Sequence, residues 1–147
     1  MDEALHPDFP VVSGALPMPN GWQLVLPVSF NRRIEDGSLV LWRPDLTFWI
    51  NVWNNDHQLS AEGQLNGILE VAASHRTDEH IDRSGGLIRL TYELAESAPG
   101  GELATCRSIS GYAISPLGYV QISAYVDSPE ARTLGYSVIH SLSAKHA

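Results

Sequence analysis

Residues 38–54 read Ser-Leu-Val-Leu-Trp-Arg-Pro-Asp-Leu-Thr-Phe-Trp-Ile-Asn-Val-Trp-Asn, two apolar, alternating runs divided by Arg43-Pro44-Asp45-Leu46. Proline at the second and aspartate at the third position of that tetrapeptide suit a type I turn, so the stretch is predicted to be a β-hairpin. If Arg43 sits opposite Leu46, the cross-strand pairs are Trp42 with Thr47, Leu41 with Phe48, Val40 with Trp49 and Leu39 with Ile50.

That register sorts the side chains onto two faces, because successive residues of a strand point to opposite sides. Leu46, Phe48, Ile50 and Val52 make an ordinary aliphatic core face. Thr47, Trp49, Asn51 and Trp53 lie on the other, joined by Trp42 and Val40. In the alternating run Tyr119–Val126, Tyr119, Gln121, Ser123 and Tyr125 repeat the mixture of rings and small polar groups. Indoles and phenols offer apolar area with a polar handle, the composition of a wet binding surface. The candidate surface is therefore Trp42, Trp49, Asn51, Trp53, Tyr119 and Tyr125, with Asp56 and His57 at the end of the Trp-rich strand as polar contacts. The alternative is that a helix or the N-terminal arm covers this face and makes it a second core layer. A homodimer seam and a ligand groove are two further readings of it.

Outward from the hairpin, residues 1–21 hold Pro7, Pro10, Pro17, Pro19 and Gly21 and are predicted to be an extended, mostly irregular arm that lies against a single domain of residues 22–147. Trp22–Leu26 is a short strand closed by Pro27. Ser60 caps a helix whose apolar stripe is Leu65, Ile68, Leu69 and Ala72, fading near His75. Arg76–Gly86 is polar and is expected to be a loop, with at most a short strand near Ile81. Leu87–Leu94 alternates, Pro99-Gly100-Gly101 makes a turn, and Leu103–Ile114 is a strand in which Gly111 marks a bulge. Ser128, Pro129 and Glu130 open a last helix lined by Ala131, Leu134, Val138, Ile139 and Leu142. The fold class expected is α+β: an antiparallel sheet of about six strands with two main helices, arranged as an α/β/α sandwich.

The chain of 147 residues is long enough for one substantial core. Asp and Glu outnumber Lys and Arg by 17 to 9, a formal charge of −8. That balance repels phosphate backbones, which argues against nucleic acid as a partner, and it favours encounter with a basic protein. No apolar run approaches the ~20 residues of a membrane-spanning helix. The acidic start Met1-Asp-Glu lacks the basic and apolar regions of a signal peptide, and a single cysteine, Cys106, allows no internal disulfide; the expected compartment is the cytoplasm.

Catalytic and cofactor signatures are not found. His75 and His80 with Asp78, Glu79 and Asp82 match neither the His-Glu-x-x-His pattern nor a zinc-site spacing, and are expected to be a solvated loop. Cys106 has no base in its sequence context and reads as a small buried apolar group; His140 reads as a flank residue of the last helix. Gly85-Gly86 and Gly100-Gly101 lack phosphate-cradling spacing. No cofactor, metal or catalytic residue is assigned.

The early hairpin with its Trp-Ile-Asn-Val-Trp strand, the mid-chain helix, the run of antiparallel strands and the ending Tyr119-Val-Gln-Ile-Ser-Ala-Tyr-Val-Asp127 before a final helix together resemble the PsbP/DcrB-like superfamily, which also contains the Ran-binding Mog protein. The resemblance spans most of residues 20–143. It implies an α/β/α sandwich serving as a noncatalytic binding or adaptor module, and it transfers no binding residue. The acidic balance, the aromatic face and the lack of catalytic motifs lead to the expected function: a noncatalytic protein-binding or adaptor module of a bacterial cell, in its more specific form an immunity-type protein that neutralises a basic toxin. The rival is a small-molecule binder or enzyme that uses the Trp/Tyr face with Asp56, His57 or the His75–His80 loop.

Overall fold

The computed structural model describes residues 5–96 and 106–145. The chain forms strands β1 (Val11–Pro17), β2 (Trp22–Glu35), β3 (Ser38–Arg43) and β4 (Leu46–Asn54), then helix α1 (Ala61–Val71). Strands β5 (Thr77–Ser84), β6 (Leu87–Glu96), β7 (Cys106–Ser115) and β8 (Gly118–Val126) follow, then helix α2 (Pro129–His140) and the short β9 (Ser143–Ala144). One nine-stranded sheet runs β1-β2-β3-β4-β8-β7-β6-β5, with β9 paired to the start of β2. Every pairing is antiparallel.

The β3–β4 register is the one expected, from Arg43 opposite Leu46 to Leu39 opposite Ile50. Its turn is not type I. Asp45 has φ 66°, a left-handed conformation that a type I turn does not contain and that Asp tolerates better than most residues.

The expected α/β/α sandwich on a six-stranded sheet is overturned. Among the described residues the sheet has nine strands, and the helices have only 11 and 12 residues. They sit on opposite faces at different places, α1 chiefly over β6 and β7 and α2 over β8, β2, β7 and β4, so the molecule is dominated by its sheet. The three strands beyond the expected six are β1, β5 and the two-residue β9, and β2 runs longer than expected. Val11–Pro17 of the arm is an edge strand on β2. Pro27 does not close β2, because a register shift opposite Ser13 accommodates Pro27, Val28 and Ser29 between the pairs Gly14–Leu26 and Val12–Phe30. The polar stretch 76–86 is not a loop: Thr77–Ser84 is the other edge strand, and only Ile81 along it is even half-buried, so no apolar alternation could reveal it.

Of the remaining expectations, the Pro99–Gly101 turn and Leu103–Thr105 lie outside the described residues. Gly111 marks no bulge, since β7 pairs without interruption from Cys106 to Ser115. It is glycine because α2 presses on it: a Cβ there would stand 2.6 Å from Ile139 Cγ2.

The aliphatic face is closed by α2. Ser128 Oγ accepts from Ala131 N and starts the helix, and Ala131, Val138 and Ile139 bury against Phe48, Ile109, Ile122, Ala124 and Val126. Each such large side chain stabilises by about 1.5–3 kcal/mol. Glu93 on β6 projects onto this face, 1% exposed. Its carboxylate accepts from Arg132 Nε (3.2 Å) and Nη2, and from the Tyr136 hydroxyl, with Arg107 at 3.5 Å. The opposite face carries α1, whose Leu65 and Ile68 form a second cluster with Ile88, Leu90, Tyr92, Tyr112 and Ile114. Among the described residues, no helix is long and apolar enough to cross a membrane.

Candidate binding surface

The ring-bearing face is the one that α1 only partly covers, and the strand register lays it out in rows. Asn31, Trp42, Thr47, Tyr125 and Ser108 form the first row; Arg33, Val40, Trp49, Ser123 and Ser110 the second; Glu35, Ser38, Asn51, Gln121 and Tyr112 the third; Trp53, Tyr119 and Ile114 the fourth.

The chain itself occupies the first two rows. Asn31, fully buried, donates from Nδ2 to the carbonyls of His6 (2.9 Å) and Phe9 (3.2 Å) and accepts from His6 N, which ties the N-terminal segment across the sheet. Phe9 then meets Trp42 edge to face, centroids 5.0 Å apart. From β2 the Arg33 guanidinium lies over Trp42 at 4.6 Å and over Trp49 at 5.8 Å. Val40, opposite Trp49 in the same row, is 0% exposed. Asn51 in the third row accepts from Ser38 Oγ at 3.0 Å. Tyr125 stays 39% exposed at the far side of the first row.

The fourth row is different. Trp53, 48% exposed, pairs with Tyr119 across β4 and β8, centroids 6.5 Å apart, and Tyr119 lies 6.1 Å from Tyr112. Gln121 links them: its Oε1 accepts from Trp53 Nε1 (3.3 Å) and its Nε2 donates to the Tyr112 hydroxyl (3.4 Å). Burial raises the pKa of both Tyr112 and Tyr119 above the ordinary phenol value, so both phenols are neutral at physiological pH. One wall is the loop Asn55–Leu59, fixed by Asn55, whose Nδ2 donates to Leu59 O (2.6 Å) and Pro116 O (2.8 Å). The other wall is α1, capped by Ser60 Oγ accepting from Gly63 N. Together they enclose an open cavity of ≈ 440 Å³ lined by Trp53, Asp56, His57, Gln64, Ile68, Tyr112, Tyr119 and Gln121, among others. Gln64 on α1 donates to Ser115 O (2.8 Å), while its Oε1 is buried without a hydrogen-bond partner.

Of the eight candidate residues, the structure thus gathers Trp53, Tyr119, Asp56 and His57 around one cavity. Trp42, Trp49 and Asn51 make contacts within the chain instead, and Tyr125 stands apart. Sequence reasoning missed Gln64, Ile68 and Tyr112 as lining residues, and placed Gln121 on this face without naming it as a contact. Gln64 carried a signal: it falls four residues before Ile68 and seven before Val71, a polar group on the flank of an apolar stripe.

The histidines of the acidic stretch lie elsewhere. His80 is on β5 and, with Asp82, Arg89, Thr91 and His140, edges a separate cavity of ≈ 270 Å³ on the α2 side of the sheet. Among the described residues, no group of three or more His, Cys, Asp or Glu side chains could hold a metal ion.

Fold and site define a class no finer than this: a β-rich domain of one large antiparallel sheet with an aromatic cavity beside α1. No family model and no curated protein matches the sequence. Among solved structures, a Bacteroides thetaiotaomicron protein is similar with a TM-score of 0.62 at 14% identity. The alignment covers 90% of this chain and 48% of that one, so this chain spans about half of its neighbour's length. The likeness is one of fold.

Proposed function

We propose that this chain is a noncatalytic recognition domain that binds a protein partner at the exposed aromatic cavity of the sheet. The supporting observation is Trp53, a large ring left half in solvent, while Trp42 and Trp49 on the same face are half-buried beneath Phe9 and Arg33. Residues of this kind, central, aromatic and surrounded by polar groups, supply most of the energy of protein interfaces. The formal charge of −8 favours a basic partner and speeds encounter with it. An immunity-type role against a basic toxin, in the cytoplasm of a bacterium, is the more specific form of the same reading.

The test is reconstitution with a purified partner found by cross-linking. Trp53→Ala and Tyr119→Ala, each folded, are expected to weaken binding by at least about tenfold, the effect of losing a hot-spot ring. A partner that binds both variants as it binds the parent protein would contradict the proposal.

A second reading is favoured by one observation. The cavity, at ≈ 440 Å³, lies within the range of small-ligand sites. On that reading a small molecule stacks on the exposed face of Trp53 beside Tyr119, and a thermal-shift panel of metabolites would raise the melting temperature.

A further inference from the structure

We infer that the cavity beside Trp53 accepts a cationic side chain, an arginine guanidinium or a lysine ammonium presented by the partner, held on the exposed indole face with its donors turned toward Gln64 Oε1. The inference rests on the reading of this cavity as a protein-binding site and names the group it recognises.

The first support is an internal precedent. Two rows away on the same face, Arg33 lays its guanidinium over Trp42 and Trp49 at 4.6 and 5.8 Å. Among the described residues, no arginine or lysine stacks on Trp53 or Tyr119; the other stacked guanidinium groups lie over Phe30, Tyr92 and Tyr136. A ring face of this kind attracts a cation through its quadrupole, most strongly for Trp.

Charge is the second support. The described residues lining the cavity include no lysine or arginine, and Asp56 contributes a carboxylate at its rim. An anionic ligand would find no ion-pair partner there other than His57. A cation meets an indole, a phenol and a carboxylate in an acidic protein, and the field of that protein draws it in.

Hydrogen bonding is the third. Gln64 is only 6% exposed, its amide nitrogen is used by Ser115 O, and its Oε1 is left without a donor. A buried acceptor in that condition is costly, and because Gln64 lines the cavity, a side-chain rotation that turns Oε1 toward a bound donor relieves that cost. Guanidinium and ammonium groups carry donors and no acceptor, so they match an orphaned amide oxygen. A carboxylate or phosphate would face it with oxygen against oxygen.

The experiment titrates the full chain, followed by tryptophan fluorescence, with three probes: acetyl-Gly-Gly-Arg-Gly-Gly-amide, the same peptide with citrulline in place of arginine, and acetyl-arginine amide alone. Citrulline keeps the shape and removes the charge. The arginine peptide is expected to bind at least about tenfold more tightly than the citrulline peptide, as charge-assisted contacts require. Gln64→Leu and Trp53→Leu are each expected to erase most of that preference. Asp56→Asn, which removes the carboxylate at the rim and keeps its shape, is expected to lower the arginine preference while leaving citrulline binding in place, a result that loss of folding cannot mimic. Equal binding of arginine and citrulline peptides overturns the inference but leaves the aromatic site as the interface. Acetyl-arginine amide binding as tightly as the peptide overturns the assignment to a protein-borne group. If no probe binds, yet Trp53→Ala abolishes binding of a purified partner, the cationic assignment fails and the protein-binding reading stands.

Discussion

Glu93 is the residue that most directly ties sequence to stability. Burial alone would raise its pKa, but the Arg132 hydrogen bonds, the Tyr136 hydroxyl and the charges of Arg132 and Arg107 outweigh that and hold it below the ordinary carboxylate value. A carboxyl depressed in the folded state contributes stability that is complete above its unfolded pKa, near 4.3, and that is lost as pH falls through the lower folded value. Acid unfolding of the parent protein is therefore expected to include this group, and Glu93→Gln is expected to flatten the fall in stability below about pH 4.3. Arg132→Ala leaves the carboxylate buried with fewer partners and is expected to lose about 1–3 kcal/mol at pH 7, below the range for a fully buried pair because Arg132 is 45% exposed and Arg107 stays beside the carboxylate. Urea denaturation of both variants at pH 7 and pH 3.5 checks the pair. An Arg132→Ala variant as stable as the parent would show that the cluster does not hold α2 to the sheet. From the sequence, Glu93 was legible only as a polar position of an alternating strand, because its partners Arg132 and Tyr136 lie 39 and 43 residues away.

At the scale of elements, what alternates or caps was legible, and what does not alternate was not. The β3–β4 register followed from Pro44-Asp45 and two apolar runs, and both helices began at the expected serines. Edge strands β1 and β5 escaped because an edge strand need bury neither face; polar residues at Thr77–His80 carry no period-two signal. Gly111 was visible as an anomaly, but its cause was not, since the cause is the side chain of Ile139 on a distant helix. Gly111→Ala is expected to lose about 1–3 kcal/mol by pushing α2 away from β7. Ile139→Ala alone opens a cavity and loses about 2–5 kcal/mol. Combined, the two are expected to lose less than their sum, because the added methyl occupies space that the lost isoleucine vacates. Chemical denaturation of the four proteins in the cycle gives the coupling; strict additivity would mean that α2 does not rest on Gly111.

For the whole molecule, the two-faced sheet foreseen from the odd and even residues of β4 and β8 is present, yet its aromatic face is divided in a way the sequence could not reveal. Nothing in the spacing of Phe9 or Arg33 announces that they lie on Trp42 and Trp49, since arm and sheet meet only in three dimensions. The proposed site is therefore the Trp53 end, between α1 and the loop that Asn55 pins, and not the half-buried indoles. Four tryptophans in very different settings make this claim directly measurable. The indole N–H resonances of the ¹⁵N-labelled protein, assigned by single substitutions, would be followed while the arginine peptide or a purified partner is added. Trp53 is expected to shift most, Trp49 and Trp42 little, and the core residue Trp22 not at all. Saturating binding that shifts Trp42 and leaves Trp53 in place would contradict the assignment of the site.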